Sequence, residues 1–394
     1  MLFSLALILF CGFMIGGILQ KLKLPALLGM MITGIVLGPY VLNLIDPAIL
    51  NISADLREIA LIVILIRAGL SLDLKDLKKV GRPAILMCFV PATLELIGVI
   101  LFAPLLLGLS YLEAALMGAV LAAVSPAVVV PRMLKLMEGG YGTGKGIPHL
   151  ILAGASVDDI YVIVLFTSFI GMHQGRGFDA LSLVKIPLSI LLGLVLGVLT
   201  GLVMAWVFKK IHMRDTVKVL LLLGLSFLFL SLESAVSAYI PVSGLLAVMA
   251  LGGAILKRNE ILAKRISGKY SKIWVVAELI LFVLVGASVD ISYIGNAGLR
   301  TAGLIFAALL FRIAGVFLCL VKTKLNRKER IFTAIAYLPK ATVQAAIGAI
   351  PLSLGIAAGN TILTVAVLAI MITAPIGAFG VDWTYRRLLK KEQP

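Results

Sequence analysis

Long apolar runs separated by short polar connections dominate this chain. Runs of about 20 apolar residues, the length that a membrane-spanning helix needs, follow one another near residues 2–19, 25–43, 57–73, 84–107, 112–135, 147–171, 182–208, 216–232, 238–256, 272–290, 299–321, 329–351 and 361–384. The connections between them are too short to fold as an inserted soluble domain. The pattern predicts an all-α integral membrane protein of about 13 transmembrane helices. The first run, Met1 to Leu19, has no basic segment ahead of it and is long enough to span. It is expected to be a retained helix and not a cleaved signal.

Composition supports this class. Of 394 residues, 61% are hydrophobic and only 14% are charged, too few charges to cover the surface of a soluble chain of this length. The net charge of +16 does not point to nucleic acid, because the basic residues sit in connections between apolar runs and form no stripe. With the N-terminus outside, 28 of the 35 basic residues fall in the odd-numbered connections and the tail. These include Lys21 and Lys23, Lys75, Lys78, Lys79 and Arg82, the stretch from Lys257 to Lys272, and Arg386, Arg387, Lys390 and Lys391. The outer connections hold only Arg57, Arg176, Lys185 and Arg300. This asymmetry predicts an outer N-terminus and a cytoplasmic C-terminus, as expected for the plasma membrane or the bacterial inner membrane. Cys11, Cys88 and Cys319 lie inside apolar runs and show no disulfide or metal spacing. No structural metal and no cofactor is expected.

The remaining ionisable residues in or near the apolar runs are Arg67, Glu95, Asp158, Asp159, Glu278, Arg312 and Lys340. A charge inside a bilayer costs several kcal/mol unless it is paired or hydrated, so each is a functional candidate. Asp158 and Asp159 stand out: two adjacent carboxylates at mid-span cannot both ionise cheaply without a cation or a basic partner, and their titration is coupled. A group that holds either a proton or a metal ion, but not both, is what an antiporter needs.

Two runs are interrupted. One contains Ser125-Pro126 with Pro131 a turn later, and the other contains Pro339-Lys340-Ala341-Thr342. Proline removes an internal hydrogen bond and frees carbonyls one turn back, which a membrane tolerates only where they meet polar groups or line a cavity. The interruptions are seven runs apart, so the segments run in opposite directions, as in inverted repeats whose broken helices cross at mid-membrane. This predicts a first repeat over about 1–171, a linker helix over about 182–208 and a second repeat over about 216–384. Lys340 either neutralises the facing carbonyl ends or snorkels to water. Glu95 and Arg312 are also seven runs apart. They are expected to face each other, or Arg312 also reaches Asp158, as a structural staple or as part of coupling. Glycine faces at Gly12 and Gly16, and at Gly193, Gly197 and Gly201, fit either a dimer interface or packing within one subunit.

Taken together, these segments resemble the monovalent cation:proton antiporter-2 family, in its sodium/hydrogen exchanger (NHA-type) branch. The resemblance rests on Leu61-Ile62-Val63-Ile64-Leu65-Ile66-Arg67-Ala68-Gly69-Leu70, Ser125-Pro126-Ala127-Val128-Val129-Val130-Pro131, the Asp158-Asp159 pair and Leu338-Pro339-Lys340-Ala341-Thr342-Val343-Gln344-Ala345. It implies the sodium/proton antiporter fold, a homodimer with a dimerisation panel, and a core that moves past that panel like an elevator. It further implies that Asp159 is the principal ligand of a transported monovalent cation, Na+ or Li+, exchanged for H+, and that Asp158 pairs with the basic residue at position 312. Many electrogenic relatives have lysine at that position. Arginine cannot shuttle a proton, so the expectation here is electroneutral exchange. The alternatives are a sodium-coupled symporter of an organic anion, for which the apolar surroundings supply few contacts, and a K+/H+ antiporter, whose common nucleotide-binding domain the short tail does not contain. An enzyme is not expected: intramembrane aspartyl proteases need two carboxylates on different helices, whereas Asp158 and Asp159 are neighbours on one.

Overall fold

A computed structural model describes residues 1–71, 81–173, 180–236 and 242–391, all of which are helical or in short connections. Lys75, Lys78, Lys79 and Arg176 of the charge pattern lie outside the described residues. In chain order the helices are α1 (Leu2–Lys21), α2 (Ala26–Leu37), α3 (Pro47–Asn51), α4 (Ser53–Ser71), α5 (Arg82–Met87), α6 (Val90–Leu107), α7 (Tyr111–Leu121), α8 (Pro126–Glu138) and α9 (Ile147–His173). They continue with α10 (Ala180–Lys210), α11 (Asp215–Val236), α12 (Gly244–Arg258), α13 (Glu260–Ala287), α14 (Ile291–Cys319), α15 (Arg327–Ala336), α16 (Thr342–Ile347), α17 (Ile350–Ser353) and α18 (Gly359–Leu388).

Among the described residues, nine helical stretches are long and apolar enough to cross a membrane. The other expected spans are covered by helices that are short or charged. Helix α2 has 12 residues and α12 has 15, and α4 carries Asp55, Arg57, Glu58 and Arg67. The Pro339 run is divided among α15, α16 and α17. Helix α13 starts well before the expected span at 272, so most of the basic stretch from Lys257 to Lys272 is helical and not a loop. Its charges sit on a helix end that Glu260 opens, with Lys264 paired to Glu260 one turn on.

The chain forms two compact units. One comprises Met1–Ala54, Asp73–Val162 and Leu279–Pro394; the other comprises Asp55–Leu72 and Ile163–Glu278. In the second unit, α10 lies along α12 through its glycine face. A Cβ on Gly197 would fall 2.2 Å from the Ala247 carbonyl oxygen, and Gly193 and Gly201 meet Ser243 and Leu251 in the same way. Gly12 and Gly16, in the first unit, pack on Val283 and on Ala26. Both glycine faces are therefore used between helices of the same chain. The three cysteines are free.

The first unit holds both interruptions. In it, α6 packs against α14 and α7. The residue ahead of Pro126 adopts extended backbone, since proline clashes with a helical predecessor. Helix α7 therefore stops at Leu121 and α8 starts at Pro126. Helices α15 and α16 flank Tyr337–Ala341 in the same manner. A tight seat holds the second interruption, where a Cβ on Gly377 of α18 would lie 2.2 Å from the Pro339 ring.

Candidate functional site

The two interruptions meet directly: the Ser125 N–H donates to the Pro339 carbonyl at 2.8 Å. Several backbone groups freed in the first interruption find partners on other segments. The Leu121 carbonyl accepts from Lys340 Nζ at 2.5 Å and from Gln344 Nε2 at 3.3 Å. The Ala122 carbonyl accepts from Arg312 Nη1, and the Ala123 carbonyl accepts from Gln344 Nε2 at 2.9 Å. At the opposite pole the Val124 N–H donates to Asp158 Oδ2 at 2.8 Å. Cations thus cover the carbonyl end of α7 while a carboxylate meets the N–H ahead of α8, as the helix dipoles require.

Arg312 is the hub, fully buried on α14. It donates to Glu95 Oε2 at 2.7 Å, to Asp158 Oδ2 at 3.0 Å and, through Nε, to the Tyr337 carbonyl at 2.6 Å. Its guanidinium also stacks 5.1 Å from the Tyr337 ring. A planar fork with five donors can serve this many acceptors, which a lysine could not. Lys340 is also buried. It pairs with Glu95 Oε1 at 2.7 Å rather than snorkelling to water, and its backbone N–H donates to Thr373. Arg312 therefore meets Glu95 and Asp158 together.

Charge counting isolates one residue. Arg312 and Lys340 balance Glu95 and Asp158, with Glu95 bound to both cations and Asp158 to one. Asp159 is the fifth ionisable group, and among the described residues no salt bridge engages it. It retains partial exposure, whereas Asp158 has none. Among the described residues, five buried side-chain oxygens on α9, α16 and the first interruption lack a hydrogen-bond or ion-pair partner: Asp158 Oδ1, Asp159 Oδ1, Ser125 Oγ, Thr342 Oγ1 and Gln344 Oε1. Buried polar atoms are normally satisfied, and a set of open oxygens that includes one of an aspartate outside the salt bridges suits a hard, oxygen-preferring cation. Among the described residues no group of three His, Cys, Asp or Glu side chains could hold a resident metal.

The profile of the family described as "Sodium/hydrogen exchanger, transmembrane" matches residues 5–387. The chain belongs to the sodium/hydrogen exchanger family. It is 38% identical to human sodium/hydrogen exchanger 9B2, an alignment covering 99% of this chain and 75% of that protein. It is 33% identical to human sodium/hydrogen exchanger 9B1, over 96% of this chain and 76% of that protein. Its fold is similar to that of the sodium proton antiporter MjNhaP1 from Methanocaldococcus jannaschii at pH 8. The TM-score is 0.82 at 23% sequence identity, covering 95% of this chain and 97% of that one.

In this exchanger nine of the residues singled out from the sequence lie in the first compact unit: Glu95, Ser125, Pro126, Asp158, Asp159, Arg312, Pro339, Lys340 and Thr342. The candidates Arg67 and Glu278 lie in the second unit. Three further contributors carried a weaker sequence signal. Gln344 was visible as a polar residue in an apolar stretch, two positions after Thr342 and within the Leu338–Ala345 segment. Tyr337 spans the site, its hydroxyl donating to the Met87 carbonyl at 3.0 Å. Thr373, which holds the Lys340 backbone, looked like any threonine of a long apolar helix.

Proposed function

We infer that this exchanger moves Na+ (or Li+) across the membrane in exchange for H+, with Asp159 as the group that carries one or the other. The observation that supports this most is the charge count: among the described residues Glu95 and Asp158 take the salt bridges of Arg312 and Lys340, and none engages Asp159. An uncompensated buried carboxylate must take up a proton or a metal ion. Occupancy by one excludes the other, and that exclusion couples the two fluxes. Asp158 contributes Oδ1 while Arg312 holds its other oxygen, and Ser125 and Thr342 supply neutral oxygens. The proposed ligands are side-chain oxygens, while the carbonyls of Leu121, Ala122 and Ala123 accept hydrogen bonds from Lys340, Arg312 and Gln344.

One exchanging carboxylate supports electroneutral, one-for-one exchange, because neither Arg312 nor the paired Lys340 needs to change charge during the cycle. Alternating access by an elevator-like motion, a homodimer and a place in the antiporter-2 (NHA-type) division complete the reading, each following from the motif resemblance. The basic-residue asymmetry supports an outer N-terminus and a cytoplasmic C-terminus in a plasma or bacterial inner membrane. The test is reconstitution in liposomes with a pH-reporting dye. Na+ or Li+ pulses should drive proton flux in the wild type and none in Asp159→Asn. Flux should persist unaltered when the membrane potential is clamped at zero. Undiminished flux in Asp159→Asn overturns the assignment, and flux that responds to an imposed potential overturns the stoichiometry.

A further inference from the structure

Gln344 belongs to neither the ion pairs nor the prolines that define the crossing, yet it is wholly buried there. Its amide orientation is fixed chemically. Nε2 lies within hydrogen-bond distance of two carbonyl oxygens, Ala123 at 2.9 Å and Leu121 at 3.3 Å, and only the NH2 end can donate to them. The Ala123 carbonyl and the Val124 N–H belong to one peptide unit. Gln344 therefore holds the oxygen of the same peptide whose N–H donates to Asp158 at 2.8 Å. Hydrogen bonds in series polarise one another. A donor on the carbonyl strengthens the N–H on the other side and fixes the plane of the peptide.

We propose that Gln344 is a positioning residue that acts on Asp158 through the Ala123–Val124 peptide, keeping that carboxylate oriented so that it can share the cation with Asp159. The inference rests on the proposed exchange reading. The groups facing Asp158 are Arg312 from α14, Lys340 from the second interruption, Glu95 behind them from α6, and Asp159 beside it on α9. Cys88 and Tyr337 also lie within electrostatic reach. Among these, the Arg312 ion pair and the Val124 N–H are the groups hydrogen-bonded to Asp158. Gln344 supports the second of them. Without that support the Val124 N–H no longer fixes the direction of the Asp158 carboxylate, and the cation loses the second of its two carboxylates.

The test is Na+-driven proton flux in liposomes for Gln344→Met, which keeps the side-chain volume and loses the donor, measured across pH and Na+ concentration. The apparent KM for Na+ should rise several-fold, with maximal flux at saturating Na+ close to wild type. Gln344→Asn, which keeps the amide one methylene short, should fall between the two, and its KM decides the matter if the methionine variant does not fold. A fall in maximal flux with KM unmoved would assign Gln344 a packing role only and overturn the proposal, as would no change at all. An Asp159→Asn control that still exchanges would instead count against the exchange reading itself.

Discussion

Two buried regions of this chain bring helix backbones together in opposite ways. Between α10 and α12 the approach is made by removing side chains: Gly193, Gly197 and Gly201 let backbone meet backbone, with both helices unbroken. At the crossing of the interrupted helices, backbone hydrogen bonds are given up, and the charged side chains of Arg312 and Lys340 and the amide of Gln344 replace them. The first arrangement tolerates a substitution to the extent that it can make room. The second leaves an unpaired charge or an open carbonyl in a low-dielectric interior whenever one member is lost. A polar cluster of this kind is a costly way to pack helices, and its return is a site where one charge can be exchanged.

The comparison yields graded expectations. Arg312→Met should have the largest effect, because it strands Glu95, Asp158 and the carbonyls of Ala122 and Tyr337 together. Loss of one partner of a buried ion pair costs about 3–5 kcal/mol. Thermal melting of the detergent-purified protein should show a poorly folded species; a wild-type melting curve would mean that the cluster does not hold the crossing. Gly197→Val should cost about 1–3 kcal/mol through overpacking, while flux per folded molecule stays unchanged. If flux per folded molecule falls instead, the α10–α12 seam does more than pack.

The smallest structural effects belong to the open oxygens. Ser125→Ala and Thr342→Ala remove hydroxyls that make no hydrogen bond among the described residues. Melting should therefore shift by no more than about 0.5 kcal/mol equivalent. The apparent KM for Na+ should nevertheless rise several-fold in the liposome assay. A melting shift without a change in KM would remove these hydroxyls from the ligand set.

The helical class was readable because a bilayer imposes a length and a hydropathy on each span. Span ends were less readable, and α13 shows why. A helix can run past the apolar stretch when its polar end is stabilised by pairs such as Glu260–Lys264, and hydropathy does not register that. At the site, Asp158, Asp159, Arg312, Glu95 and Lys340 were conspicuous because charge in an apolar run is rare. Gln344, Tyr337 and Thr373 were not, since an uncharged polar residue in such a run has many ordinary uses. The pairing of Arg312 with Glu95 or Asp158 was expected from the spacing of the runs, but the pairing of Lys340 was left open. Only the three-dimensional arrangement shows that Glu95 takes both cations and that, among the described residues, no salt bridge engages Asp159.

That unbalanced carboxylate is the central claim, and competition kinetics test it most directly. The apparent KM for Na+ should be measured in wild-type liposomes over a series of pH values with saturating Na+ at each. If one site takes either ion, KM rises steadily as pH falls while the maximal flux holds constant, approaching a tenfold increase per pH unit on the acid side. A KM independent of pH, with maximal flux falling instead, would place the proton on a separate group and contradict the account.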